Sequence, residues 1–119
     1  MMKLPKTLLL GGLLLSSTAF AGAWTEPLTV KDVSVSASEG RFSGAAQLRV
    51  TFDKPPVTSV CAATEKLAVY DTGDINAWMQ TWSSMLLTAQ AQNKKVQIYT
   101  YLCRANNVPL LYGVRVINQ

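Results

Sequence analysis

Residues 74–103 read DINAWMQTWSSMLLTAQAQNKKVQIYTYLC, and within them the hydrophobic period changes once. Ile75, Trp78, Met79, Trp82, Met85, Leu86 and Ala89 fall at i, i+3, i+4, i+7, i+10, i+11 and i+14, the stripe of an amphipathic helix. Asp74, after Gly73, stands where an N-cap belongs. Asn93 suits the left-handed position that ends a helix, and Lys94 and Lys95 favour the negative end of its dipole. From Val96 the pattern alternates. Val96, Ile98, Thr100 and Leu102 share one face of a strand, while Gln97, Tyr99, Tyr101 and Cys103 share the other. Trp78, Met79 and Trp82 are therefore expected in the core. Ala77, Thr81, Ser84, Thr88 and Ala91 form the small, polar face opposite.

Working outward, residues 66–70 (KLAVY) read as a short strand. Upstream, Ala46, Leu48, Val50 and Phe52 alternate with Gln47, Arg49 and Thr51, a half-buried strand that Asp53-Lys54-Pro55-Pro56 ends. Residues 28–38 (LTVKDVSVSAS) form the first strand. Its apolar phase runs Leu28, Val30, then slips to Val33, Val35 and Ala37, which suggests a bulge near Lys31-Asp32. Glu39-Gly40 and Ser43-Gly44 mark the following turn, and residues 57–63 fit no single element. Downstream, residues 96–103 and 110–117 (LLYGVRVI) are two strands parted by a polar loop over 104–109. The chain is thus mainly β with one helix. The order β-β-β-α-β-β, with the helix between strands three and four, is that of a five-stranded OB-fold-like barrel. A helix packed across an open antiparallel sheet is the competing architecture.

The start of the chain bears on where this domain works. Lys3 and Lys6 precede an apolar run over residues 7–15 (TLLLGGLLL), and Ala19-Phe20-Ala21 supplies the small-x-small pattern that a signal peptidase reads. The run is too short for a membrane-spanning helix, which needs about 20 apolar residues. Residues 1–21 are expected to be a signal peptide, with cleavage after Ala21 or, from the second pattern Ala21-Gly22-Ala23, after Ala23. Residues 22–119 then make one domain, secreted or periplasmic. Loss of Lys3 and Lys6 lowers the net charge from +4 to +2, and the remaining basic residues are scattered. A phosphate-tracking groove would cluster them, so a nucleic-acid partner is not expected.

Cys61 and Cys103 are the only cysteines. In an oxidising compartment a disulfide is the default, closing a loop of about 43 residues; two free thiols are the rival reading. With no histidine and no third cysteine, zinc has no ligand set, and no metal or other cofactor is expected.

Catalysis finds little support. Asp71-Thr72-Gly73 after an apolar strand is how aspartic proteases present their acid, and Leu110-Leu111-Tyr112-Gly113 mimics their downstream strand. That fold needs a strand leading out of the acid's loop, whereas here a helix follows. The absence of histidine removes the commonest general base, so the chain is expected not to be an enzyme. Tyr99 and Tyr101 are the better ligand or interface candidates. If Val96, Ile98 and Thr100 fill a barrel, the tyrosines point outward, where they can stack on a sugar or seal a subunit contact. The alternative is that they cover the helix or the disulfide. Thr81 and Thr88 are interface candidates on the small helix face, with Leu87 beside them.

Ala23-Trp24-Thr25, the Trp-containing helix ending in Leu86-Leu87-Thr88-Ala89-Gln90-Ala91, and Lys94-Lys95-Val96-Gln97-Ile98-Tyr99 together resemble the B subunits of subtilase-type and pertussis-like bacterial toxins. The chain is also similar to small secreted proteins of Gram-negative bacteria with an LL-x-A-Q-x-x-x-K-K-V-x-I junction. The resemblance implies an OB-fold domain that forms a homopentameric ring lined by its helices and binds cell-surface glycans. A monomeric periplasmic binding, inhibitor or envelope stress protein with a protein partner is the alternative. The cysteine pattern here is simpler than in those toxins, and their sugar-contacting aspartate and serine have no match, so no binding residue carries over.

Overall fold

The computed structural model describes residues 21–37, 46–72 and 76–118. Residues 1–20, which hold all but the last residue of the expected signal peptide, the turn residues Glu39, Gly40, Ser43 and Gly44, and Gly73, Asp74 and Ile75 lie outside the described residues. The elements are β1 (Ala23–Trp24), β2 (Leu28–Ala37), β3 (Ala46–Phe52), β4 (Leu67–Thr72), α1 (Ala77–Ala91), β5 (Lys95–Thr100) and β6 (Gly113–Ile117). β2, β3 and β4 form an antiparallel meander. β5 pairs antiparallel with β6 along one edge and with β1 and then β2 along the other. The sheet curls into a half-barrel. A parallel bridge between Val69 and Leu110, with Leu111 N donating to Val69 O at 2.7 Å, links β4 to the segment entering β6. The chain is an OB-fold-like barrel, mainly β with one helix.

Alternation builds the interior. Ala46, Leu48, Val50 and Phe52 of β3 and Val96, Ile98 and Thr100 of β5 are buried, with Leu28 and Val30 from β2. The β2 pairing shifts between Val30 and Asp32, so the phase slip is a bulge that returns Val33 to the core side. One strand was not foreseen. β1 reaches β5 because Thr25, buried at the bend before Pro27, stands in for a ladder residue: its N–H donates to Ile98 O at 3.0 Å, and its Oγ1 accepts from Ile98 N at 3.1 Å.

α1 packs on β2 and β6, with smaller contacts on β5 and β3. Met79, Trp82, Leu86 and Ala89 are its buried stripe. Trp78 departs from expectation. It is 62% exposed, because only about four residues per two turns can face this narrow core. The N-cap is Asn76, whose side chain accepts from Met79 N at 3.0 Å, and not Asp74. The C-terminus closes as expected: Asn93 has φ 57°, Lys94 N donates to Ala89 O at 2.8 Å, and Asn93 N donates to Gln90 O at 3.2 Å, a Schellman arrangement.

β4 is buried on both faces over Leu67, Ala68 and Val69, which explains its unbroken apolar run. Leu67 and Val69 lie beneath Val108 and partly buried Leu110, and the turn over residues 103–109 holds them there. Cys61 and Cys103 are disulfide-bonded, pinning that turn to the loop after β3, with Cα atoms 5.2 Å apart. In the same loop Thr58 Oγ1 accepts from Val60 N and Cys61 N, which gives residues 57–63 order without a strand or helix. Two strand boundaries also move. β5 stops at Thr100, where its Oγ1 donates to Leu102 O, and β6 starts only at Gly113, since Leu110 bridges to β4 first.

Candidate functional site

The outer face of β1, β5 and β6 carries the most distinctive surface in the described chain. Because Val96, Ile98 and Thr100 point inward, Gln97 and Tyr99 point outward. Register places Trp24 opposite Tyr99 on one side, Gly113 opposite Tyr99 on the other, and Arg115 opposite Gln97. The Trp24 and Tyr99 rings are 5.3 Å apart at 54°. The Arg115 guanidinium lies 4.2 Å above the Trp24 ring, a cation–π contact. Gln97 fixes that arrangement, since its Nε2 donates to Thr25 O at 2.7 Å and its Oε1 accepts from Arg115 Nε at 3.1 Å. Gly113 is needed here for space. A Cβ on it would stand 3.0 Å from Tyr99 Cβ and 3.4 Å from Trp24 Cη2.

Trp24 remains 38% exposed in this assembly. The patch therefore offers an indole edge, a tyrosine ring and an arginine that stacks on the indole and hydrogen-bonds Gln97 through Nε. Aromatic rings stack on the C–H faces of sugars or on apolar side chains, while guanidinium and amide groups hydrogen-bond hydroxyls.

Tyr101 belongs to a second cluster, beyond the end of β5. It packs against Tyr112 with centroids 4.4 Å apart and is 47% exposed. Burial, followed by the neighbouring Tyr101, pushes the Tyr112 hydroxyl above its ordinary range. Nearby, Tyr70 meets Trp82 edge-on at 4.9 Å, its hydroxyl accepts from Asn76 Nδ2 at 3.0 Å, and Trp78 lies 5.6 Å from Trp82. The two candidate tyrosines thus share a strand direction but not a site. Tyr99 packs against Trp24, Gly113 and Gly22. Thr81 and Thr88 are exposed on the far side of α1 with Ala77, Ser84 and Ala91, and Leu87 beside them is 49% exposed.

Asp71 has structural partners. It accepts from Gln47 Nε2 at 2.8 Å and pairs with Arg104 at 3.1 Å, joining β3, β4 and the 103–109 turn at the surface. Gly73 lies outside the described residues, and α1 follows within a few positions. Among the described residues no group of three or more His, Cys, Asp or Glu is placed to hold a metal ion. A shallow cleft of about 250 Å³ is lined by Thr25, Glu26, Leu28, Lys54, Pro55 and Val57, with Glu26 and Lys54 paired at 3.6 Å.

No protein-family model matches the chain, and neither a curated protein nor a solved structure matches it. Sequence reasoning reached Tyr99 but missed Trp24, Gln97 and Arg115. For Gln97 and Arg115 a signal existed, because both lie in the outward phase of their strands. Trp24 carried no periodic signal, since two residues show no period, and it entered the sequence reading only within the Ala23-Trp24-Thr25 resemblance.

Proposed function

We propose that this chain is an exported, non-catalytic binding domain whose Trp24–Tyr99–Arg115 face takes a glycan, in the manner of a toxin B subunit. The observation that carries the reading is Trp24 held at the surface between Tyr99 and Arg115, with Gln97 locking the arginine. Such a patch is preorganised: its rotamers are set before a ligand arrives, which lowers the entropy lost on binding. OB-like barrels also serve oligosaccharide recognition elsewhere. Disulfide bonding of Cys61 to Cys103 is compatible with a periplasmic or extracellular location, and among the described residues no helix is long and apolar enough to cross a membrane.

The reading extends to a ring of copies joined through the solvent face of α1, where small side chains permit close helix approach and Leu87 supplies exposed apolar area. A ring would multiply weak single-site affinities through effective concentration. Glycan-array binding and saturation-transfer NMR on residues 22–119 test the site. Binding that Trp24→Ala and Arg115→Ala abolish, with the circular dichroism spectrum intact, supports it. An absence of binding to every glycan at millimolar ligand refutes it. Light scattering at micromolar protein tests the ring: about five chains, reduced to one by Thr81→Arg with Thr88→Arg, is the expected result. A monomer throughout would leave a single-site periplasmic binder.

A further inference from the structure

The cleft between the β1–β2 connector and the loop after β3 has two walls that the fold holds still. On one side Thr25 is bonded through its N–H, its hydroxyl and its carbonyl oxygen to Ile98 and Gln97. On the other, Asp53 staples the loop to β2: its Oδ1 accepts from Thr29 N at 2.9 Å, and its N–H donates to Thr29 O at 3.1 Å. Pro55 and Pro56 have fixed φ, Pro56 is fully buried, and Val57 N donates to Pro55 O at 2.9 Å. About 250 Å³ lies between these walls, and Leu28, Pro55 and Val57 make much of the lining apolar. Pockets for drug-sized molecules run to roughly 300–1,000 Å³, so this one suits a smaller molecule.

Across this cleft Glu26 and Lys54 face each other with Nζ 3.6 Å from Oε1, their side chains 84% and 48% exposed. A charge-assisted hydrogen bond is shorter, about 2.7–2.9 Å. The two groups therefore attract without hydrogen-bonding each other, and among the described residues neither side chain makes any other hydrogen bond. Separating so exposed a pair costs little. We propose that the cleft binds a free α-amino acid with an apolar side chain. Its ammonium meets Glu26, its carboxylate meets Lys54, and its side chain lies against Leu28, Pro55 and Val57. Bond lengths place the nitrogen and the carboxylate oxygens of an α-amino acid within roughly 3–4 Å of one another, which matches the Glu26–Lys54 spacing. Each further residue in a peptide moves its two termini apart by up to about 3.5 Å, so the match is to a single amino acid. Asp53 does not compete for the ligand's ammonium, because its carboxylate is engaged by the Thr29 N–H.

This site does not depend on a glycan at the Trp24 face. Titration of the isotope-labelled full chain with L-leucine, followed through amide NMR shifts, tests it. Shifts at Glu26, Lys54 and Val57 should saturate in the millimolar range, since both charges stay partly in water. N-acetyl-leucine, which lacks the ammonium, and leucinamide, which lacks the carboxylate, should each bind about two- to fivefold more weakly. Glycine, without an apolar side chain, and dileucine, with its charges set apart, should not saturate at the same concentrations. Glu26→Gln should erase the preference for leucine over N-acetyl-leucine, and Lys54→Met the preference over leucinamide, with the circular dichroism spectrum intact in both. Equal affinity for leucine and its two blocked forms overturns the assignment, as does the absence of any saturable shift at tens of millimolar leucine.

Discussion

Replacing Cys61 and Cys103 together by alanine should destabilise this domain more than any single surface change. The bridge joins residues 42 positions apart. Chain-entropy arithmetic for a loop of that size gives about 13 cal/mol/K, or roughly 4 kcal/mol at 25 °C. Stability of small domains totals about 5–15 kcal/mol, so the loss is a large share. For a domain near 100 residues it corresponds to roughly 20 °C in the unfolding midpoint. The structure says where the strain of opening falls. The loop after β3 and the 103–109 turn have few ladder hydrogen bonds, and the turn supplies Val108 and Leu110, which cover the outer side of β4. Chemical denaturation by guanidinium, followed by circular dichroism, is the assay. Because the bridge acts by confining the unfolded chain, the variant's unfolded state should expose more surface and its denaturant slope should rise. A midpoint shift of only a few degrees with an unchanged slope would refute the argument.

Adjacent leucines on α1 should behave oppositely. Leu86→Ala should cost about 2–5 kcal/mol because its side chain is fully buried, whereas Leu87→Ala should cost the monomer under about 1 kcal/mol, both read from thermal melts. Asn76→Ala should cost about 1–2 kcal/mol by removing the cap on Met79 N and the bond to Tyr70; a cost below a few tenths would place the cap elsewhere. Asp53 accepts the Thr29 N–H, which holds its carboxyl below the usual range; its contribution is present above the unfolded pKa and is lost as pH falls through the folded one, so Asp53→Asn should flatten the acid limb of a stability–pH curve. The raised Tyr112 hydroxyl works in the other direction, contributing stability below about pH 10 that is lost as pH rises through the folded pKa, and Tyr112→Phe should remove that alkaline loss. Asp71→Asn should abolish no activity; acid-range peptidase activity that vanished in this variant would restore the protease reading.

Short-range pattern determined most of the architecture. The helix, the three-strand meander with its bulge and the two later strands all follow from periods of 3.6 and 2.0, because side-chain direction repeats with the backbone. The paired cysteines, too, could be read from their number and the export signal expected before them. Periodicity could not say which apolar residues the core has room for: Trp78 and Trp82 are four positions apart on one stripe, yet one is exposed and the other buried. Nor could it separate two polar residues near a helix start, where Asn76 caps because its side chain reaches Met79 N. The aromatic patch is wholly tertiary. Trp24, Tyr99 and Arg115 are dispersed over more than ninety positions, and only the register of β1 and β6 against β5 makes them neighbours. Register depends on long-range pairing, which closes loops of many residues, and no local window of sequence contains it.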